Sequence, residues 1–321
     1  MAYSSGGLIS ATDYNNLAWG GTQGTYTAAP ANIAYVMGIG TDAVGYGQDV
    51  TAINTVASTA VVTATQWSGL LTKLNAALGH QSGAGAVLSG NYTAGQTITY
   101  FANVNTAVTT INTNLASFAA QGATVTGANF ANGITAGAGV AYAADFVQRT
   151  VSFASGDAAR YFFNAGGQLN LVISSVTNNN GTARSGDAVT LIGTNFGGMT
   201  AFRNNTNGNR TGTGGTVGIP FNTAIGYRQL PATLNTNHFN VSSTTASYTT
   251  DNFYLRMFTS AQNASGHGDH GLQIVFSMYL DSPGHSAFDS ALNVTVNHRI
   301  DVVLPESTYL TTNSWGTPTI A

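Results

Sequence analysis

The run Leu292–Leu304, LNVTVNHRIDVVL, alternates apolar Leu292, Val294 and Val296 with polar Asn293, Thr295 and Asn297. Alternation of that kind sends one set of side chains to each face of a strand, so one face must meet a core while the other meets water. Other short runs rich in β-branched and aromatic residues precede it: RTVSFA, ARYFFNAGGQLNLVISSV, DAVTLIG, NFYLRMF and GLQIVFSMYLD, cut by Gly, Asn and Asp turns. Over residues 150–321 they predict an antiparallel β-sandwich or jelly-roll-like domain with no helix between its strands. The loop Asn204–Thr216, NNTNGNRTGTGGT, is too polar to bury and is expected to project.

The first 122 residues have a different texture. Three segments, LISATDYNNLAW, VVTATQWSGLLT and TITYFANVNTAV, place a Ser or Thr ahead of a helical pattern. Ser10, Thr63 and Thr99 are candidate N-caps, whose hydroxyls accept from orphan backbone N–H groups of the first turn. Thr63 with Gln66 forms a capping-box pair, and Ser10 is followed by Asp13, an acid at the positive end of the helix dipole. After Thr63, Trp67, Leu70, Leu71, Leu74 and Leu78 keep helical spacing, with Gly79 as the expected stop. After Thr99, Phe101, Val104, Val108, Ile111, Leu115 and Phe118 follow the alternating three-four rhythm of a heptad seam. One reading packs this seam on another helix of the same chain; the other makes it, with Trp67, Leu70 and Leu74, the interface of an oligomeric bundle.

Residues 123–149 show no sustained period and several close glycines, so they read as a Gly/Ala-rich linker. The expected class is therefore α+β and multidomain: a helical module over 1–122, the linker, and a β-sandwich over 150–321. A fragment starting near Thr150 is expected to fold without the N-terminal part.

Charge narrows the function. Only 7 % of the 321 residues are Asp, Glu, Lys or Arg, against about 25 % in ordinary domains. There is one lysine, Lys73, and one glutamate, Glu306, with a net charge of −3. Copies of such a chain repel one another weakly, which suits a subunit of an assembly. Nine Lys and Arg spread thinly cannot neutralise a run of phosphates, so nucleic acid is not an expected partner. No apolar run approaches the roughly 20 residues of a membrane span, and MAYSSGGLIS lacks the basic and apolar regions of a secretory signal. Cysteine is absent, which excludes disulfides and thiolate metal sites.

Few residues suggest chemistry. His267, Asp269 and His270 in HGDHG are weak candidate metal ligands, but their spacing matches no strong metal motif and suits a turn equally well. Ser286 in PGHSAF lacks the second glycine of a nucleophile elbow. The glycine-rich stretch GIGTDAVGYG, residues 38–47, lacks the register of a phosphate cradle and reads as a tight turn. Arg160, beside Tyr161 and Phe162, is read either as a subunit contact at a strand edge or as a snorkelling edge residue. No catalytic residue and no cofactor are expected.

LISATDYNNLA, VTATQWSGLLTKLNAALGHQSG and GQTITYFANVNTAVTTI, with DAARYFFNAGGQLNLVIS and IDVVLPESTYLTTNSWG, resemble segments of virion structural proteins of tailed bacteriophages. The likeness is to tail-fibre-like or neck-fibre-like proteins and spans most of the chain. It implies a multi-copy component of a tail, neck or baseplate, with a helical attachment end and an exposed β-rich end. Its partners would be copies of itself, as a trimer or ring, and other virion proteins, and its location the virion, assembled in the host cytoplasm. A second reading is a carbohydrate- or receptor-binding module for host attachment, with Tyr248, Tyr254 or Trp315 as a sugar platform on a host glycan. A third is a metal-dependent hydrolase built on the histidine cluster.

Overall fold

The computed structural model describes residues 9–20, 22–23, 32–40, 44–83, 88, 101–115, 117–201, 210–217, 237–259, 273–284, 290–312 and 314–321. Helix α1, Ala11–Trp19, starts as its sequence implies: the Ser10 hydroxyl accepts from the Asp13 N–H at 3.1 Å, and Gly20 ends the helix in the left-handed region. A short α2, Ile33–Met37, is capped by the Asn32 side chain. Helix α3, Ala64–Ser82, opens with the expected Thr63–Gln66 capping box but runs past Gly79 to a left-handed Gly83. Gly79 is small for another reason: a Cβ there would lie 2.3 Å from the Tyr309 ring. Helix α4, Phe101–Thr113, buries Val104, Ala107, Val108 and Ile111 and packs on α2 and α3. Its expected cap, Thr99, and the Phe101 side chain lie outside the described residues.

The expected linker is not one. Residues 121–152 hold strands β1, Gln121–Val125, β2, Phe130–Ala136, and β3, Tyr142–Ser152. They lack an apolar period because they are largely exposed, with Ile134, Phe146, Val147 and Val151 as their buried residues. Two segments expected as strands are helical. Ser155 caps α5, Gly156–Asn164, and Thr182 caps α6, Ala183–Val189, which continues into a π-helical turn, Thr190–Phe196. Alternation failed as a guide in α5 because Ala158 to Asn164 are buried all round.

Strands β4, Gln168–Asn178, β5, Gly198–Ala201, β6, Thr216–Val217, β7, Asn237–Ser242, β8, Asn252–Thr259, β9, Gln273–Ser282, β10, Leu292–Pro305, and β11, Thr319–Ile320, complete two antiparallel sheets. In the five-stranded sheet β10 pairs with β4 on one side and with both β1 and β2 on the other, and β5 follows β4. The six-stranded sheet runs β11-β3-β9-β8-β7-β6. The architecture is α+β. Loop residues 204–209 lie outside the described residues; Arg210 is held against the Gly214 carbonyl and lies 4.6 Å over the Phe239 ring.

The helices and both sheets share one apolar cluster, running from Ile9 through Trp67 and Phe253 to Trp315. Residue 150 falls inside β3, which is paired along its length with β9, so no boundary separates a self-sufficient β-domain there. Beyond β10 the chain turns back onto the helices. Glu306 sits 3.1 Å from His80 Nδ1 and accepts from the Thr308 and Tyr309 N–H groups at 2.6 and 3.0 Å. Gln48 exchanges two hydrogen bonds with the Thr312 backbone, at 2.8 and 2.9 Å. Arg184, fully buried on α6, donates to the Ser282 hydroxyl and carbonyl at 2.9 Å, while the Asn293 N–H donates to Ser185, so α6 bridges the two sheets.

A second contact between the sheets is a stack. The Arg149 guanidinium lies 3.8 Å over the Phe130 ring, and the His298 ring stacks on Phe130 at 5.8 Å. Burial first, and the Arg149 charge second, push the His298 imidazole down from 6.5 to about 4, against the Val296 carbonyl that pulls it up.

Two predictions follow from this packing. A fragment beginning at Thr150 lacks part of β3 and all of β1 and β2, and it should show no cooperative unfolding transition in circular dichroism. Acid should weaken the intact chain in two windows. Between pH 6.5 and 4 the unfolded state binds a proton that folded His298 refuses, so stability falls by up to about 3 kcal/mol, and His298→Gln should flatten that slope. Burial would raise the Glu306 carboxyl, but hydrogen bonds from His80, Tyr309 and Thr308 hold it below its ordinary value. Its contribution is therefore present above pH ~4.5 and lost as pH falls through the lower folded value.

Candidate functional site

Most of the described residues expected to line an interface are interior ones. Trp67, Leu70 and Leu74 are fully buried, Val104, Val108 and Ile111 nearly so. Leu115 and Phe118 are half-buried, Leu115 against the common core and Phe118 against Gly166. This apolar stripe is used within the chain, so it no longer argues for a second copy. Arg160 is not at a strand edge: it is buried on α5, donates from NH1 to the Val44 carbonyl at 2.6 Å and lies 4.5 Å from the Tyr161 ring. With Asn164, which donates to the Gly45 carbonyl at 3.2 Å, it clamps the turn read from GIGTDAVGYG.

His267, Asp269, His270 and Ser286 lie outside the described residues. Among the described residues, no group of three or more His, Asp or Glu side chains could hold a metal, and no helix is long and apolar enough to cross a membrane. Of the residues read as a sugar platform, Tyr248 and Trp315 are buried, whereas Tyr254 is half-exposed.

Two cavities offer little chemistry. A groove of about 550 Å³ runs along α4, but Thr109, Thr110 and Thr113 spend their hydroxyls on carbonyls one turn back. A cleft of about 270 Å³ lies between α3 and the C-terminal tail, where Lys73 faces Met37, Ala76 and Tyr309. Among the described residues that line it, Lys73 is the one charged side chain.

The richest cluster stands on the outer face of the six-stranded sheet. In β8 the inward positions are Phe253, Leu255 and Met257, which leaves Tyr254 and Arg256 on the opposite face. Register sets Tyr254 across from Tyr279 and Arg256 across from Ser277. A bulge in β3 between Asp145 and Val147 turns both Phe146 and Val147 into the core, leaving Asp145 on the outer face beside Tyr279. The tyrosine rings are 5.9 Å apart and inclined at 51°. The Arg256 guanidinium lies 4.1 Å over Tyr279 and donates from Nε to Asn237 at 3.2 Å, with NH1 3.7 Å from Asp145. Ser277 donates to the same carboxylate. The Arg256 and Asp145 side chains remain 20 % and 25 % exposed, so the pair is screened and modest in strength.

Burial first, then the Asp281 charge and the neighbouring Tyr279, raises the Tyr254 hydroxyl above its usual value, partly offset by Arg256. Tyr142 is raised by burial and then by Asp145. The face thus offers aromatic surface, donors and acceptors, with Asp145 and Asp281 set against Arg256 among the described residues. Reading β8 and β9 singly shows the alternation but not which residues meet; Arg256, Tyr279, Asp145 and Asn237 needed the register.

Asp145→Asn removes a negative charge that disfavours tyrosinate. Tyr142 should therefore titrate lower than in the wild type, yet remain above its usual value because burial persists. Carbon-13 tyrosine NMR across pH 9–12 checks this, and an unchanged or higher Tyr142 value would contradict the assignment.

No protein-family model matches this chain, and no curated protein or solved structure matches it either.

Proposed function

We propose that this chain is a structural component of a tailed-phage particle, a tail, neck or baseplate fibre-like protein assembling in multiple copies and working without catalysis. The supporting observation is where the charge goes. Of the nine Lys and Arg and twelve Asp and Glu, Arg160, Arg184, Asp187, Asp251, Asp301 and Glu306 are buried. Charged residues are almost never fully buried unless paired, and here they hold turns, sheets and the tail together. The remaining charges, such as Asp49, Lys73 and Asp157, are scattered among amides and hydroxyls: on the five-stranded sheet Asn179 donates to Asn293 and Thr295, and Asn297 to Ser175. A surface with so little net field resists close packing of copies weakly.

The second reading, host attachment through carbohydrate, is favoured by the Tyr254–Arg256–Tyr279 cluster. A β-sandwich or jelly-roll arrangement of the two sheets accords with both readings.

Light scattering on the purified chain should give a mass of several copies, nearly unchanged between about 0.05 and 1 M salt, because few surface charges are available to screen. A monomer at all concentrations, with one copy per particle, would contradict the proposal.

A further inference from the structure

The geometry points to the outer face of the six-stranded sheet as a binding site for a neutral pyranose, carried by Tyr254, Tyr279, Arg256, Asp145 and Asn237. This inference rests on the host-attachment reading and adds the site and the ligand class.

The argument starts from what these side chains leave unused. Arg256 spends Nε on Asn237 and places NH1 near Asp145, and Asp145 accepts from Ser277 through Oδ1. Arg256 NH2, Asp145 Oδ2, the Asn237 amide nitrogen and both tyrosine hydroxyls make no hydrogen bond to any described residue. They surround the two rings on one half-exposed face. A sugar ring presents an apolar C–H face and, around its edge, hydroxyls that both donate and accept. Aromatic surface matches the first; a mixed set of planar amide, carboxylate and guanidinium groups matches the second. The guanidinium lies 4.1 Å over Tyr279 and 5.9 Å over Tyr254, so Tyr254 is the less closely covered ring and the one to stack.

Rigidity favours recognition as well. All five residues stand on paired strands rather than loops, and the Arg256 fork is held by stacking and by Asn237, so little order remains to be imposed on binding. Charge decides the class. Among the described residues, Asp145 and Asp281 border Tyr254 or its partner against Arg256, so a carboxylate-bearing sugar would meet net repulsion from them. A neutral one meets none.

The test uses the full chain on immobilised gluco-, galacto- and manno-configured oligosaccharides beside sialylated and uronate-containing ones. Binding to at least one neutral series is expected. Tyr254→Ala and Arg256→Gln should each weaken it by about tenfold or more, with an unchanged thermal midpoint, and Tyr254→Phe should weaken it less. Neutral binding unaffected by these variants would overturn the site and leave the attachment reading standing. Binding confined to the acidic sugars would overturn the ligand class. No binding to any of them would overturn both the inference and the attachment reading.

Discussion

The one glutamate of the chain sets the arrangement of everything around it. Glu306 follows directly on β10, the strand that joins β4 to β1 and β2, and its carboxylate meets His80 on α3 and two N–H groups of its own turn. A carboxylate taken from water costs several kcal/mol unless nearly every lone pair is used, and these contacts use them. The contact also fixes direction: the tail must cross the helices, placing Tyr309 against Gly79 and Thr312 against Gln48. Without it the helices would dock through their apolar face and the remaining polar ties, Gln48 to Thr312, Arg160 to Val44 and Asn164 to Gly45.

The same economy recurs wherever charge is buried. Arg184 ties α6 to β9, Arg160 clamps the turn at Val44, and Asp187 accepts from Ser243 and Thr245. Each uses charge to fix a junction between elements that apolar contact alone leaves free to slide. The consequence outside is a surface in which amides and hydroxyls outnumber charges, with a compact Tyr–Arg–Asp cluster on one sheet face. Assembly and attachment would therefore draw on different parts of one body.

Local signals carried the helix starts and the strongest strand. Ser10 and Thr63 cap as their sequences imply, and the alternation of Leu292 to Asn297 is the alternation of β10. What sequence hid was anything decided by a distant partner. Residues 123–149 looked like a linker because β1 and β2 bury little of their own and exist by pairing with β10. The heptad-like seam of α4 was legible as apolar but not as intramolecular, since its cover comes from α2 and α3. The run around Phe162 reads as a strand because burial on all sides erases the difference between the two periods, and the run around Leu191, with Thr190 and Thr194 exposed, because it is short and β-branched. Tyr254 was visible as a candidate, whereas its neighbours are set by register and by the bulge at Phe146.

The claim on which this account turns is that helices and sheets form one cooperative body closed by Glu306. The most direct measurement is native-state hydrogen exchange on the wild type and Glu306→Ala, read separately for α3 and for β9. The account predicts that the slowest amides of both elements share one opening free energy, and that the substitution lowers both together by about 2–4 kcal/mol. Distinct opening energies for α3 and β9, with the substitution moving only one of them, would contradict it.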